Sequence, residues 1–121
     1  SGCHTNFSTK QMRENGNKEL FLKAIENLKV NHQKHIDAYG DDNHKRLTGE
    51  HETASLKKFS YGVGDRGASI RIPYNLHIND YRSGYLEDRR PPSNMDPYIV
   101  TSLIAETIIQ DRYLNNPFTV A

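Results

Sequence analysis

Residues 84–92 read GYLEDRRPP, a stretch in which two acidic side chains are followed directly by two arginines and two prolines. Residues 85–89 are predicted to form a β-strand that the prolines end. Because side chains alternate between the two faces of a strand, Glu87 and Arg89 are expected on the same face, about 6–7 Å apart. An acid and a base on one face can hold a metal ion beside an anionic substrate. The alternative is an ordinary exposed strand with a salt bridge.

Residues 3–9 are predicted to form a second strand, because small polar and bulkier side chains alternate along them. His4, Asn6 and Ser8 then share one face of that strand. Three polar groups in this pattern face water, a metal or a phosphate. A solvent-facing edge strand explains the same pattern.

A third strand is predicted at residues 68–72, with Arg71 on the face opposite to the aliphatic side chains and Arg66 on the preceding loop. The three glycines within residues 62–67 superficially resemble a phosphate-binding loop. Because no strong helix follows them, the dinucleotide-binding interpretation fails. The alternative for the two arginines is a structural role in capping turns.

Two amphipathic helices accompany the predicted strands. In residues 19–39 apolar side chains recur every three or four positions, and Gly40 supplies the stop. A second helix is predicted at about residues 94–109. His32 and His35 lie one helical turn apart, and a packing role is favoured over metal binding because no further ligand is near in sequence. The alternation of strands and helices predicts an α/β-type sandwich of a sheet and helices.

The segments between these elements are predicted to be loops or weakly specified surface chain, at residues 10–18, 41–58, 74–83 and 110–121. The second of these segments is long and polar, and such segments in a compact domain are usually functional or disordered. A short helical turn is expected at residues 54–59.

The composition limits the classes of function. The chain has 121 residues, 35% of them hydrophobic, and a mean hydropathy of −0.82, which suits one small domain whose apolar surface is completed by other chain. A net charge of +1 gives no argument for nucleic acid or membrane binding. The single cysteine, Cys3, allows no intrachain disulfide. No membrane-spanning stretch or signal peptide is recognised, and the chain is expected to be the middle of a longer protein.

Four arginines on predicted loops or strand faces indicate an anionic substrate: Arg46, Arg66, Arg71 and Arg89. Arginine binds carboxylate and phosphate in a planar, bidentate manner, and a phosphoryl-transfer site needs several positive groups with a divalent metal. His4 and Glu87 suit Mg²⁺ or Mn²⁺, although two ligands are too few alone. The alternative, a polyanion-binding module, needs a contiguous basic face, which the interspersed acidic residues interrupt.

Four runs resemble, in the same order, the C-terminal part of the catalytic domain of glutamine synthetase: HTNFST at 4–9, RLTGEHET at 46–53, GVGDRGASIRIP at 62–73 and GYLEDRRPPSNMDPY at 84–98. The second run resembles the type II, eukaryote-like branch. The resemblance implies an α+β fold with an antiparallel-rich sheet and flanking helices. Residues 1–121 are then one fragment of that domain, without the N-terminal domain and the first half of the catalytic domain.

The resemblance also implies an activity, the ATP-dependent ligation of ammonia to L-glutamate through a γ-glutamyl phosphate intermediate, with Mg²⁺ or Mn²⁺. It implies a cytoplasmic homo-oligomer of two stacked rings, a decamer, that binds no nucleic acid and no membrane. The present chain alone is expected to be inactive. The alternatives are a catalytically dead structural or assembly relative and a γ-glutamyl ligase for another amine.

The same resemblance assigns roles to individual residues. His4 and Glu87 are the expected metal ligands. The expected nucleotide-binding residues are Asn6, Phe7, Ser8, Arg66, Arg71, Tyr85, Leu86 and Glu87. The expected glutamate-binding residues are Arg46, Arg66 and Arg89.

Two residues are expected to act in catalysis. Glu52 closes the site and takes a proton from ammonium, for which a carboxylate kept ionised among guanidiniums is suited. Arg89 grips the γ-carboxylate while it is phosphorylated. Three positions depart from the family pattern, namely Gly64 for alanine, Tyr74 for arginine and Leu86 for phenylalanine, and they bear on packing or nucleotide fit.

Overall fold

A computed structural model of the chain describes residues 2–40, 58–109 and 118–120. Its strands are β1 (Thr5–Thr9), β2 (Tyr61–Val63), β3 (Ile70–Ile72), β4 (Leu86–Asp88) and β5 (Phe118–Val120). They form one sheet in the order β2-β3-β4-β1-β5. The β1–β4, β1–β5 and β3–β4 pairs are antiparallel, whereas β2 and β3 are parallel. This mostly antiparallel sheet with its helices confirms the α+β fold.

The helices of the described ranges are α1 (Lys10–Glu14), α2 (Lys18–Val30), α3 (His32–Ala38), α4 (Tyr74–Ile78) and α5 (Pro97–Ile108). The last one begins at Pro97, three residues later than the sequence predicts. Asp96 is its N-cap and accepts hydrogen bonds from two backbone N–H groups, and Pro97 occupies the first turn. None of these helices is long and apolar enough to cross a bilayer.

The prediction of one uninterrupted helix at residues 19–39 is wrong. Asn31 ends α2, and its side-chain Nδ2 donates to the carbonyl of Asn27 at 2.8 Å. An asparagine side chain that competes for backbone groups in this way favours a break in the helix. The chain therefore continues as a second helix, α3, from His32.

Three segments predicted to be loops contain short elements. Residues 10–18 include α1, which Thr9 caps by accepting a hydrogen bond from the Met12 N–H at 3.1 Å. Residues 74–83 include α4, and residues 110–121 include β5. The glycine-containing segment also supplies β2, a strand that the sequence does not predict. Residues 41–57, with the predicted turn that begins at residue 54, lie outside the described residues.

The hydrophobic core lies on one face of the sheet. Alternation along the strands points Phe7, Ile70, Ile72 and Leu86 to this face, and all are at most 2% exposed. They form one cluster with helix side chains, including Phe21, Ile25, Leu28, Val100 and Ile104. Burial of a side chain of this size contributes about 1.5–3 kcal/mol, so this cluster fixes which face of each strand points away from the helices.

An ion pair between Asp88 and Arg90 is enclosed in the same core, where both side chains are fully buried. Arg90 Nε donates to Oδ1 at 2.8 Å and Nη2 donates to Oδ2 at 2.9 Å. The Tyr39 hydroxyl also donates to Oδ2, at 2.8 Å, and Arg90 Nη1 donates to His32 Nδ1 at 2.9 Å. Burial alone would raise the pKa of Asp88, but the charge and hydrogen bonds of Arg90 outweigh it and lower that pKa.

His35 connects this ion pair to α5. Its Nδ1 lies 2.6 Å from the Tyr39 hydroxyl, and its Nε2 lies 2.8 Å from Thr107 Oγ1. The same Nδ1 also lies 3.4 Å from Arg90 Nη2. Burial, and then the nearby charge of Arg90, lower the pKa of His35 from 6.5 to about 3. The predicted packing role of this histidine is confirmed.

We expect the stability of the fold to fall as the pH decreases from about 6.5 to about 3. Between these values an unfolded His35 binds a proton and the folded one does not, so the free energy of unfolding falls by up to about 1.4 kcal/mol per pH unit. Denaturant titration at several pH values measures this slope. His35→Gln should flatten it, and the exposed His77→Gln is the control that should leave it unchanged. An equal slope in all three proteins would contradict the assignment.

Candidate metal and phosphate site

A row of polar residues crosses the centre of the sheet. Asn6 of β1 pairs with Glu87 of β4, and Glu87 pairs with Arg71 of β3. Paired residues share a face, and so do residues two positions apart on one strand. Arg89 and His4, on either side of this row, therefore join the same face, which is opposite to the core. We call these five residues the polar face.

Glu87 is the centre of the polar face. Its Oε2 accepts a hydrogen bond from Arg71 Nη1 at 3.0 Å, and its Oε1 accepts one from Arg89 Nη1 at 3.3 Å. His4 Nδ1 lies 3.3 Å from the same Oε1. Glu87 is 8% exposed, so these contacts are made at a largely buried carboxylate. The predicted shared face of Glu87 and Arg89 is confirmed.

The pair of His4 and Glu87 fits a divalent metal in geometry and in chemistry. Neighbouring ligand atoms of an octahedral ion with 2.1 Å bonds lie about 3.0 Å apart, close to the observed 3.3 Å between Nδ1 and Oε1. Imidazole nitrogen and carboxylate oxygen are both ligands that Mn²⁺ accepts. Within residues 2–40 and 58–109, no group of three metal-binding side chains is close enough together. Further ligands would have to come from elsewhere in the protein.

The two arginines of the polar face suit an anionic ligand. Arg71 is half-buried, and its buried Nε has no hydrogen-bond acceptor among the described residues. An unpaired buried donor of this kind is costly, and a phosphate or carboxylate oxygen would satisfy it. Arg89 is 6% exposed and contacts the same carboxylate. Two positive groups therefore flank the candidate metal ligand.

One of the two remaining predicted arginines belongs to the described residues and lies on a loop beside β3. Arg66 is exposed on the loop between β2 and β3. This loop turns through Gly64, whose φ of 64° favours glycine, and Asp65 Oδ1 accepts a hydrogen bond from the Gly67 N–H at 2.9 Å. Arg46 lies outside the described residues, and so does the predicted catalytic Glu52.

The predicted nucleotide-binding residues divide between the two faces of the sheet. Asn6 lies on the polar face, and Ser8 follows two residues later on the same strand. Tyr85 precedes Glu87 by two residues and is 41% exposed. Arg13 of α1, which the sequence did not single out, donates from Nη1 to Ser8 Oγ at 3.0 Å.

Phe7 and Leu86 do not project from the polar face. Both side chains are fully buried in the core, and the two residues pair across β1 and β4. The reason is the period of two along each strand, which sends them to the face opposite to Asn6 and Glu87. Their side chains therefore point away from the polar face, and only their backbone lies beside it.

Comparison with models of protein families gave no match. Among curated proteins, the chain is similar to the chloroplastic/mitochondrial glutamine synthetase of Arabidopsis thaliana, at 60% identity over 109 residues. That alignment covers 90% of this chain and 25% of the relative. A cytosolic glutamine synthetase isozyme of Pinus sylvestris is 59% identical over 90% of this chain and 30% of its own length. The glutamine synthetase of Agaricus bisporus is 58% identical over 93% of this chain and 31% of its own length.

The chain thus spans between a quarter and a third of the length of these relatives. The similarity extends over nine-tenths of the chain. The relatives to which the chain is similar at this level of identity are named glutamine synthetases.

Proposed function

We propose that this chain is the C-terminal part of the catalytic domain of a longer glutamate–ammonia ligase. The observation that carries the proposal is the contact of one buried carboxylate, Glu87, with Arg71, Arg89 and His4 on a single face of the sheet. This arrangement suits a divalent cation next to transferring phosphate, and the relatives of the chain are named glutamine synthetases. The proposed substrates are ATP, L-glutamate and ammonia.

His4 and Glu87 would hold a Mg²⁺ or Mn²⁺ ion on the ATP side of the site. Such an ion neutralises phosphate charge and polarises the transferring phosphoryl group. Arg71, with Arg66 from its loop, would neutralise further negative charge on the phosphates. Arg89 would hold the γ-carboxylate of glutamate, so that its oxygen is kept near the phosphoryl group.

The remaining steps involve residues outside the described ranges. Arg46 would bind the glutamate substrate. Glu52 would take a proton from ammonium, and the resulting ammonia attacks the γ-carbonyl carbon of γ-glutamyl phosphate and releases inorganic phosphate. A carboxylate serves as a general base when it reaches the proton that it removes.

Further features of the whole protein belong to the same proposal. We propose a homo-oligomer of two stacked rings, and an isolated chain that is inactive because His4 and Glu87 do not complete a metal site. A cytoplasmic location is compatible with the cytosolic relatives, although chloroplastic relatives are equally similar. Asn6, Ser8 and Tyr85 would line the nucleotide.

Phosphate release from ATP by the full-length protein tests the proposal. We expect release that requires glutamate and ammonia together. Release that occurs only with another amine would favour a different γ-glutamyl ligase. A folded protein with no turnover under any of these conditions would favour the structural relative and contradict the proposal.

Glu87→Gln should weaken Mn²⁺ binding by at least about tenfold, because the substitution removes the anionic ligand and leaves two guanidiniums beside the ion. Titration calorimetry with Mn²⁺ measures the loss. Glu106→Gln is the matched control. It removes an exposed carboxylate of α5 that contacts Lys34 of α3. Equal affinities of the two variants would exclude Glu87 as a ligand.

Glu52→Ala should lower kcat by about 100-fold or more and leave the affinity for ATP within about threefold of the wild type, since a general base acts in the transition state. Steady-state kinetics and nucleotide titration of the same preparation separate these effects. A parallel loss of kcat and ATP affinity would show that Glu52 acts in binding instead.

A further inference from the structure

The polar face has a second ion pair directly behind it. Residues 87–90 alternate, so that Glu87 and Arg89 project to the polar face while Asp88 and Arg90 project to the core. Arg89 thus lies between two residues whose side chains are fully buried and hydrogen-bonded on the reverse side of the sheet. The contacts that hold the side chains of Asp88 and Arg90 in place also hold the backbone that carries Glu87 and Arg89.

The buried pair is tied to one helix, α3, by hydrogen bonds of defined direction. Both carboxylate oxygens of Asp88 accept from Arg90, and Oδ2 also accepts from Tyr39 of the α3 C-terminus. The remaining Arg90 nitrogen, Nη1, donates to His32. The Arg90 guanidinium lies over the Tyr39 ring at 5.5 Å. The end of β4 is therefore held in one orientation relative to α3.

Stability alone is a weak reason for such a pair. Removing two charges from water costs about as much as their attraction returns, and well-packed apolar side chains of similar volume often stabilise a core at least as well. An apolar pair, however, would hold the strand without a preferred direction. Directed bonds from Asp88 and Arg90 fix the orientation of β4 relative to α3, in addition to the backbone pairing of β4 with β1 and β3.

We propose that Tyr39, Asp88 and Arg90 are positioning residues for Glu87 and Arg89, acting through the backbone of β4. This role rests on the proposed function of the polar face. None of the three touches the metal or the substrate. They set the orientation in which the carboxylate of Glu87 and the guanidinium of Arg89 reach the ligands in front of the sheet.

Tyr39→Phe is the decisive variant because it removes one hydroxyl and keeps the ring. Asp88 then loses one donor and His35 Nδ1 loses its contact with the hydroxyl, while the two bonds from the Arg90 side chain to Asp88 are retained. In the full-length protein we expect Mn²⁺ affinity and the apparent affinity for ATP to fall about three- to tenfold, the effect of losing one hydroxyl from a coupled hydrogen-bond network.

Tyr81→Phe is the matched control. Tyr81 is also a buried core tyrosine, 5% exposed, and its hydroxyl makes no hydrogen bond with the described part of the chain. Both variants are assayed well below their melting temperatures, with Mn²⁺ binding by calorimetry and KM for ATP by phosphate release. Wild-type Mn²⁺ binding and KM in Tyr39→Phe, with only a lower melting temperature, would overturn the positioning role.

Arg90→Lys provides a second test, since it keeps the positive charge but replaces the three donating positions of the guanidinium with one ammonium group. We expect a larger loss of Mn²⁺ affinity than in Tyr39→Phe, and wild-type binding by a folded Arg90→Lys protein would overturn the positioning role. Absence of Mn²⁺ binding by the wild-type protein would instead overturn the proposed function, and the positioning role with it. Mn²⁺ binding by the wild-type protein therefore distinguishes a failure of the proposed function from a failure of the positioning role alone.

Discussion

The alternation of side chains along β4 is the constraint on which the rest of the structure depends. One face of this strand carries Glu87 and Arg89, and the other carries Asp88 and Arg90. Each face contains an acid and an arginine two residues apart, but the first pair lies on the polar face and the second is fully buried in the core. A shift of the strand by one residue would exchange these roles, which the apolar cluster and the buried ion pair both oppose. The site and the core are therefore specified by the same four residues.

This arrangement connects stability to function at one strand. The neighbours of β4 in the sheet supply the other polar groups, His4 and Asn6 from β1 and Arg71 from β3. None of these side chains comes from a long loop, so their relative positions follow from strand pairing. A site built in this way is preorganised, and its charges need little rearrangement when an anionic ligand and a cation bind. Glu52 and Arg46 of the proposed site lie outside the described residues.

Much of the polar face could be predicted from the sequence, because a period of two is a local property. It was enough to place Glu87 with Arg89 and His4 with Asn6. The same rule, applied to Phe7 and Leu86, would have sent their side chains to the core. The same rule also places Asp88 and Arg90 on the core face, but composition alone does not show that a charged pair is buried there.

The helical period of residues 19–39 continues through Asn31, so periodicity did not reveal the break between the two helices. The three-residue strands β2 and β5 depend on their neighbours in the sheet, and no local pattern identifies them.

Diffraction from crystals of the full-length protein grown with Mn²⁺ and a non-hydrolysable ATP analogue tests the central claim most directly. Data collected at a wavelength where manganese scatters anomalously locate the ion independently of the protein atoms. The account predicts an anomalous peak within direct bonding distance of both His4 Nδ1 and a Glu87 carboxylate oxygen, with analogue phosphate oxygens in contact with Arg71. A manganese ion and a triphosphate bound away from this face of the sheet would contradict it.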